Sequence, residues 1–247
     1  MEPAIKALFD RRSVRAYTGE PIAEELVETI LAAAAQAPTA GNQQLYTILR
    51  VTDPEKVHQL RLSCDDQPFI EKAGLVLVFC ADCRKWYRAF REAGAEPRGP
   101  GAGDLLLAVS DANIAAQNAV TAAEALGLGS CYIGDIMENF ERQREILGLP
   151  RYVFPAAMLL FGWPTEQQKT RPKPERVDMR YIVHENTYHD FTGEELRAMF
   201  APKCGERSYE DWMRAFCQRK YNSDFAREMT RSVQKALEDF RPDETEK

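Results

Sequence analysis

Residues 11–18 read RRSVRAYT and place three arginines and a serine within five positions of a 247-residue chain whose formal net charge is -6. In an extended backbone successive side chains alternate faces, so Arg11, Ser13 and Arg15 project to one side. Arg12, Val14 and Ala16 project to the other. Two guanidinium forks and a hydroxyl converging from one face suit a small dianion such as a phosphate monoester, which guanidinium grips through paired charge-assisted hydrogen bonds. Taken alone, the stretch reads first as a solvated basic turn.

Other residue groupings carry less chemistry. The six cysteines include one C-x-x-C pair, Cys80 and Cys83 in FCADC. No second pair has matching spacing for zinc, and the context is not that of a thioredoxin-like redox pair, so reduced structural thiols are expected. GLGSCYIG (127–134) has dinucleotide-like glycines but follows a helix rather than a strand, and it is not G-x-S-x-G. His58 sits on a polar helix, while His184 and His189 lie five apart in VHENTYH, a weak metal signal. No acid–base pair or nucleophile stands out. The expectation is therefore no metal and no catalytic side chain, with a cofactor carrying the reaction if the chain is an enzyme.

The elements that must position these residues follow from periodicity. Ala4, Ile5, Leu8 and Phe9 predict a short helix that delivers the chain to RRSVR. Leu26, Val27, Ile30, Leu31 and Ala34 form the stripe of a second helix, stopped by Pro38. LYTILRVT (45–52) predicts a strand, Asp53 and Pro54 a capped helix over EKVHQLRL, and GLVLVFCAD (74–82) a buried strand. GAEPRGPGAG (94–103) reads as a mobile loop before a long helix over about 104–126. Ala112, Ala115, Ala116, Ala119, Ala122 and Ala123 make that helix small-faced, which favours a central, interface-forming element over an ordinary Ala-rich helix. CYIGDI, a helix over ERQREILGL and a strand over AAMLLFGW (156–163) follow, then a polar Pro-rich stretch (164–177), helices from about Glu194 and a solvated tail, RPDETEK. The pattern predicts an α+β fold with a modest mixed sheet.

Composition is that of a globular protein, 45% hydrophobic and 28% charged. The acidic balance argues against nucleic acid or anionic membrane as partner. No apolar run reaches the roughly 18 residues of a membrane span, and MEPAIKALFD lacks a signal peptide's apolar region, so a cytoplasmic location is expected.

Five blocks, RRSVRAYTGEPI, APTAGNQQ (37–44), DANIAAQNAVTAAEALGLGSCYIGD (111–135), LLFGWPTEQQKTRPKPER (159–176) and IVHENTY (182–188), resemble the FMN-dependent nitroreductase family in order and spacing over residues 1 to about 190. The chain is similar to its larger, NADPH-preferring flavin reductase and nitroreductase branch. The resemblance implies an α+β fold with a central mixed, mostly antiparallel sheet flanked by helices. It also implies an intertwined homodimer with FMN sites built from both subunits, and ping-pong hydride transfer from NAD(P)H to a nitroaromatic, quinone or flavin acceptor. A relative specialised for one metabolite, or a non-catalytic flavin-binding module, remain alternatives.

Residue by residue, the resemblance implies that Arg11, Ser13 and Arg15, with Arg12 alongside, grip the FMN phosphate and ribityl chain or the pyrimidine edge. Pro38, Thr39, Ala40 and Asn42 match the loop that approaches the flavin ring from the partner subunit. Gln67 matches a ring-bonding position, with an exposed glutamine as the alternative. Tyr132, Ile133, Gly134 and Asp135 match the stretch under the ring, where a backbone N–H near N5 would stabilise developing charge. Lys173 and Arg176 match a second pair of phosphate-binding cations, although Glu175 stands before Arg176 where the family usually has K-P-R, so Arg171 could replace either. Residues 1–193 are expected as the FMN-binding domain and 194–247 as a helical extension packing on the partner, with Lys203 and Arg207 as candidates for nucleotide selection.

Overall fold

The computed structural model describes residues 2–241, the side chains of Pro3 and Ala4 excepted; the polar tail expected beyond Arg241 lies outside them. Contacts divide the chain into two compact units. One comprises residues up to Arg171 together with those from Glu228, and the other is Pro172–Arg227.

In the first unit, chain order is α1 (Pro3–Asp10), α2 (Glu24–Ala35), β1 (Tyr46–Arg50), α3 (Pro54–Ser63), β2 (Leu75–Asp82), α4 (Arg84–Glu92), α5 (Ala102–Ala125), β3 (Gly129–Ile133), α6 (Phe140–Leu147), β4 (Val153–Gly162) and α7 (Glu166–Thr170). The strands form one sheet in the order β1-β2-β4-β3, every pair antiparallel. Strands β2 and β4 are apolar on both faces because helices cover both. Leu75, Leu77, Phe79 and Ala81 point toward α2 and α5, while Val76, Val78 and Cys80 point toward α3 and α6.

Strand β4 begins three residues earlier than its apolar run suggests. Pro155 hides the start, because proline cannot donate to a ladder. It is tolerated at a bulge, where Phe79 pairs with Ala157 but Cys80 pairs with Pro155. The extra residue flips the alternation: Phe154 and Ala156 face the α5 layer before it, Leu159 and Phe161 after it. Helix α4 has no counterpart in the periodic reading. It is started by Asp82, whose carboxylate accepts from the N–H groups of Arg84 (3.0 Å) and Lys85 (3.2 Å). Asp53 caps α3 as expected, accepting from Glu55 N at 2.9 Å.

The alanine face of α5 is not an interface with another subunit. Ala108, Ala112, Ala115, Ala116, Ala119 and Ala123 are buried within this chain, where small side chains let α5 lie close to α2 and the sheet. Its outward face instead carries the exposed Leu106, Leu107 and Ile114.

The second unit contains α8 (Gly193–Cys204) and α9 (Tyr209–Lys220), and the boundary falls inside α10 (Asp224–Leu237). Thr192 and Ser208 cap α8 and α9, and Trp212 stacks on Phe216 with ring centroids 4.9 Å apart. From Glu228 onward α10 packs on its own chain. Arg231 forks onto Glu141 at 2.9 and 2.8 Å, Ser232 Oγ accepts from Phe140 N at 3.1 Å, and Asp239 pairs with Arg144. The contact units divide at 171/172 and 227/228 rather than at 193.

Residues 13–18 run along the sheet. Ser13 forms a parallel bridge with Ser130, Val14 N donates to Ser130 O at 2.8 Å, and Thr18 N donates to Trp163 O at 2.9 Å. Two facing glycines make room for this strap, since Gly129 pairs with Gly162 across β3 and β4. A Cβ on Gly129 would lie 2.5 Å from Val14 Cγ2, and one on Gly162 would lie 2.6 Å from the Tyr17 ring. Gly129→Ala is therefore expected to cost about 1–3 kcal/mol. At this size that is roughly 2–4 °C of Tm per kcal/mol. Adding Val14→Ala should return part of the loss, giving a non-additive pair. Strictly additive losses in thermal unfolding would show that Val14 is not what Gly129 accommodates.

Candidate functional site

The strap sorts its side chains as alternation requires. Val14 is buried over Gly129. Arg12 turns away from Arg11 and Arg15 and is spent on structure, its guanidinium donating to the carbonyls of Lys169 (2.5 Å) and Arg171 (2.8 Å). Arg11 and Arg15 face β3. Burial pushes the Cys131 thiol up, and Arg15, hydrogen-bonded to it, pulls it back. Burial likewise pushes the Tyr132 phenol up to about 12, against the field of Arg11. Buried Gln168 fixes the strap's height by accepting from Arg15 N at 3.2 Å.

Beside this face lies the turn after β3. Ile133 is buried, while Gly134 is exposed and a Cβ placed on it would meet nothing within 4 Å. Asp135 hydrogen-bonds Asp65 of the 64–67 turn, which brings the two turns together. In that second turn Gln67 is half-buried and donates through Nε2 to Cys64 O at 3.0 Å. Glu138 completes an acidic group with Asp65 and Asp135. Burial, then the charges of Asp65, Asp135 and Glu228, push its carboxyl up to about 7.

The loop carrying Pro38, Thr39, Ala40 and Asn42 has its own anchor. Asp111 of α5, only 3% exposed, accepts from Ala40 N at 3.0 Å, from Leu45 N at 3.1 Å and from the Thr39 hydroxyl. Gln44 N donates back to Thr39 Oγ1 at 2.7 Å. Gly41, Asn42 and Gln44 all take positive φ, so the loop is a tight coil held from beneath by one carboxylate.

Lys173 and Arg176 lie in the second unit, both exposed. Arg176 lines a cavity of about 250 Å³ with Arg180, Lys203, Glu175 and Asp178. The remaining sequence signals resolve into structure. All six cysteines are free, and burial pushes Cys64, Cys80 and Cys83 up to about 12, so these are inert thiols. His189 N donates to His184 Nδ1 at 2.9 Å, and the His189 ring faces Glu195.

The first unit fits a phosphate-bearing cofactor such as FMN on two observations. Arg11 Nη1 is buried without a hydrogen-bond partner among the described residues, a charged donor awaiting an acceptor. Gly134 leaves open space beside that face. Sequence reasoning missed Asp111, Gln168 and the acidic group. Asp111 had a signal, a lone carboxylate in a buried run of alanines.

Residues 8–163 match the model of the Nitroreductase family. An FMN reductase (NADPH) of Bacillus subtilis is 35% identical over 196 residues, 76% of this chain and 76% of the relative. An oxygen-insensitive NADPH nitroreductase of Salmonella typhimurium is 35% identical over 206 residues, 83% of this chain and 82% of the relative. The solved NADPH:FMN oxidoreductase of Vibrio harveyi, complexed with NAD+, superposes with a TM-score of 0.80 at 27% identity, covering 95% of this chain and 97% of that one.

The Asp111 anchor is testable without any ligand. Asp111→Asn keeps the shape but replaces one accepting oxygen with an amide, so stability should fall by about 2–4 kcal/mol. Hydrogen exchange at the Ala40 and Leu45 amides should accelerate with it. Unchanged protection at both amides would show that the carboxylate does not hold the loop.

Proposed function

The chain belongs to the nitroreductase family, and we propose that its Arg11–Arg15 strap and Tyr132–Asp135 turn hold the FMN of a dimeric enzyme. It is an FMN-dependent NAD(P)H oxidoreductase of the flavin reductase and nitroreductase branch. Nitroaromatic, quinone or flavin compounds are the proposed acceptors. The observation that carries the site is Arg11, half-buried beside Tyr132, with its Nη1 buried without a hydrogen-bond partner among the described residues.

The chemistry that FMN supplies when bound is hydride transfer, taken from NAD(P)H in one half-reaction and given to the acceptor in the next. The protein's part is to bind and orient. Arg11, Arg15 and the Ser13 hydroxyl provide the anion grip. Arg12 keeps the strap in place through the 169–171 carbonyls rather than joining that grip. Gly134 keeps the main chain open to a planar ring, so that a backbone donor could meet developing negative charge. Gln67 contributes a side-chain amide from the adjoining turn.

The dimer is supported by an exposed apolar face, Leu106, Leu107 and Ile114 on α5 with Ile5, Leu8 and Phe9 on neighbouring α1. In that dimer the Asp111-anchored loop, Pro38 to Asn42, would reach the partner's flavin. No helix among the described residues is long and apolar enough to cross a membrane. A cytoplasmic location fits the supply of NAD(P)H.

Purified protein should be yellow, release FMN, and sediment near twice 28.1 kDa. Arg11→Ala removes a charge-assisted bond worth roughly 1.5–3 kcal/mol, an affinity loss of about 10- to 150-fold. At saturating FMN its anaerobic bleaching by NADPH should recover. Gly134→Val fills only open space, so the protein should fold, yet bleaching at matched occupancy should slow about 10²-fold. A yellow monomer, or Arg11→Ala with unaltered FMN affinity, would overturn the assignment.

A further inference from the structure

The acidic group beside Gly134 is unlike the other charges of the molecule. Ligand oxygens of Asp65, Asp135 and Glu138 all lie within 4.8 Å of one another, the one grouping of possible metal ligands among the described residues. Several other acids are matched: Glu141 and Glu228 share Arg231, Asp104 holds Arg98, and Asp239 holds Arg144. None of the three pairs with a lysine or arginine among the described residues. The nearest further charge, Glu228, has the same sign and is already committed to Arg231, Ser232 and the Asn139 amide.

Glu138 is the second, separate observation. The residue is 2% exposed, and its Oε1 is buried without a hydrogen-bond partner among the described residues. A buried carboxylate oxygen that finds no donor is costly, and here it sits against two more carboxylates, so a shared proton or a bound cation must answer it. Asp135 is half-buried and Asp65 exposed, so the group opens to solvent on one side. The neighbouring Cys64 is protonated and accepts from Gln143 Nε2, so it offers neither charge nor competition.

We infer that Asp65, Asp135 and Glu138 form a binding site for one divalent cation of the hard, oxygen-seeking class, Ca2+ or Mn2+, that staples the 64–67 turn to the turn after β3. Three carboxylates with an open side for water match the donor set and coordination such ions take. Bonds of about 2.3–2.6 Å let three ligands of one Ca2+ stand about 4–4.5 Å from one another, so oxygens within 4.8 Å of each other need at most a small inward shift. Mg2+, at about 2.0–2.1 Å and reluctant to shed water, would require the cluster to contract. The ion would hold Gln67 and Gly134 in fixed relation, the first two residues from a ligand and the second next to one. The site rests on this cluster alone and not on the FMN reading.

The test uses the full chain, stripped with EDTA and titrated with CaCl2 or MnCl2 by calorimetry, with bound Mn2+ counted by electron paramagnetic resonance. One ion per chain, with saturation below about 1 mM and a rise in Tm, is expected. Glu138→Gln and the exposed Asp65→Asn should each weaken binding at least about tenfold, while their stripped forms melt no lower than the parent. Asp65→Asn keeps the test decisive if Glu138→Gln fails to fold. No saturable binding of either ion up to about 10 mM would overturn the site. So would parent-like binding in both variants, or a raised Tm in the variants with no ion bound by the parent, which would mean that protons alone relieve the repulsion. Flavin content and bleaching are read separately, so loss of either does not imitate loss of the ion.

Discussion

The close approach of the 13–18 strap to the sheet is the constraint on which the site depends. A strand edge normally repels a second apolar segment by the bulk of its own side chains. Here the facing pair Gly129 and Gly162 removes that bulk at two points, and Val14 and Tyr17 fill the space. Tyr17 closes the strap on itself by donating to Val14 O at 2.9 Å, and burial pushes its phenol far up. Once Val14 is seated, alternation decides the rest. Arg11 and Arg15 must face β3, and Arg12 must face the 169–171 segment. The arginines are aimed by the seating of Val14, one to three residues away from them, in the gap over Gly129.

The same economy governs the loop from Pro38 to Gln44. A coil with three positive-φ residues is poorly determined by its own backbone, because such conformations are individually unfavourable outside glycine. One buried carboxylate over-determines it by collecting donors from Thr39, Ala40 and Leu45. Asp111 can do this only because α5 lies close to the sheet and to α2, and the alanine face is what permits that distance. Larger residues at Ala108, Ala112 or Ala115 would move the anchor away from the loop it holds.

Much of this was legible in the sequence, and what was not has physical reasons. The alternation of RRSVR, the Asp53–Pro54 cap and the two apolar strands show themselves through local periodicity. The start of β4 did not, since a proline in a central strand is acceptable only at a bulge, and a bulge is a property of the pair of strands. Helix α4 did not either, because its start depends on Asp82, the last residue of the preceding strand. The alanine stripe was visible but its direction was not: small residues say that something approaches closely, not whether it belongs to the same chain. Alternation set Arg12 on the face opposite Arg11, but not what it would meet there, since the carbonyls of Lys169 and Arg171 lie far along the chain. That Asp65 and Glu138 would join Asp135 was not legible, because two turns about seventy residues apart had to meet.

Opposite charge therefore gathers on two sides of one short segment. β3 receives Arg11 and Arg15 along its length, while the turn that follows it carries Asp135 and Glu138 and meets Asp65. Neither cluster is neutralised within the chain, since Arg11 Nη1 and Glu138 Oε1 are both buried without partners among the described residues. Had the two been meant to balance each other, a few residues' shift in register would have paired them as directly as Arg231 pairs with Glu141. Keeping them apart costs desolvation at both ends. That cost is coherent if each end is completed by something the chain does not itself contain, an anion at the arginines and a cation at the carboxylates, with Gly134 as the open ground between.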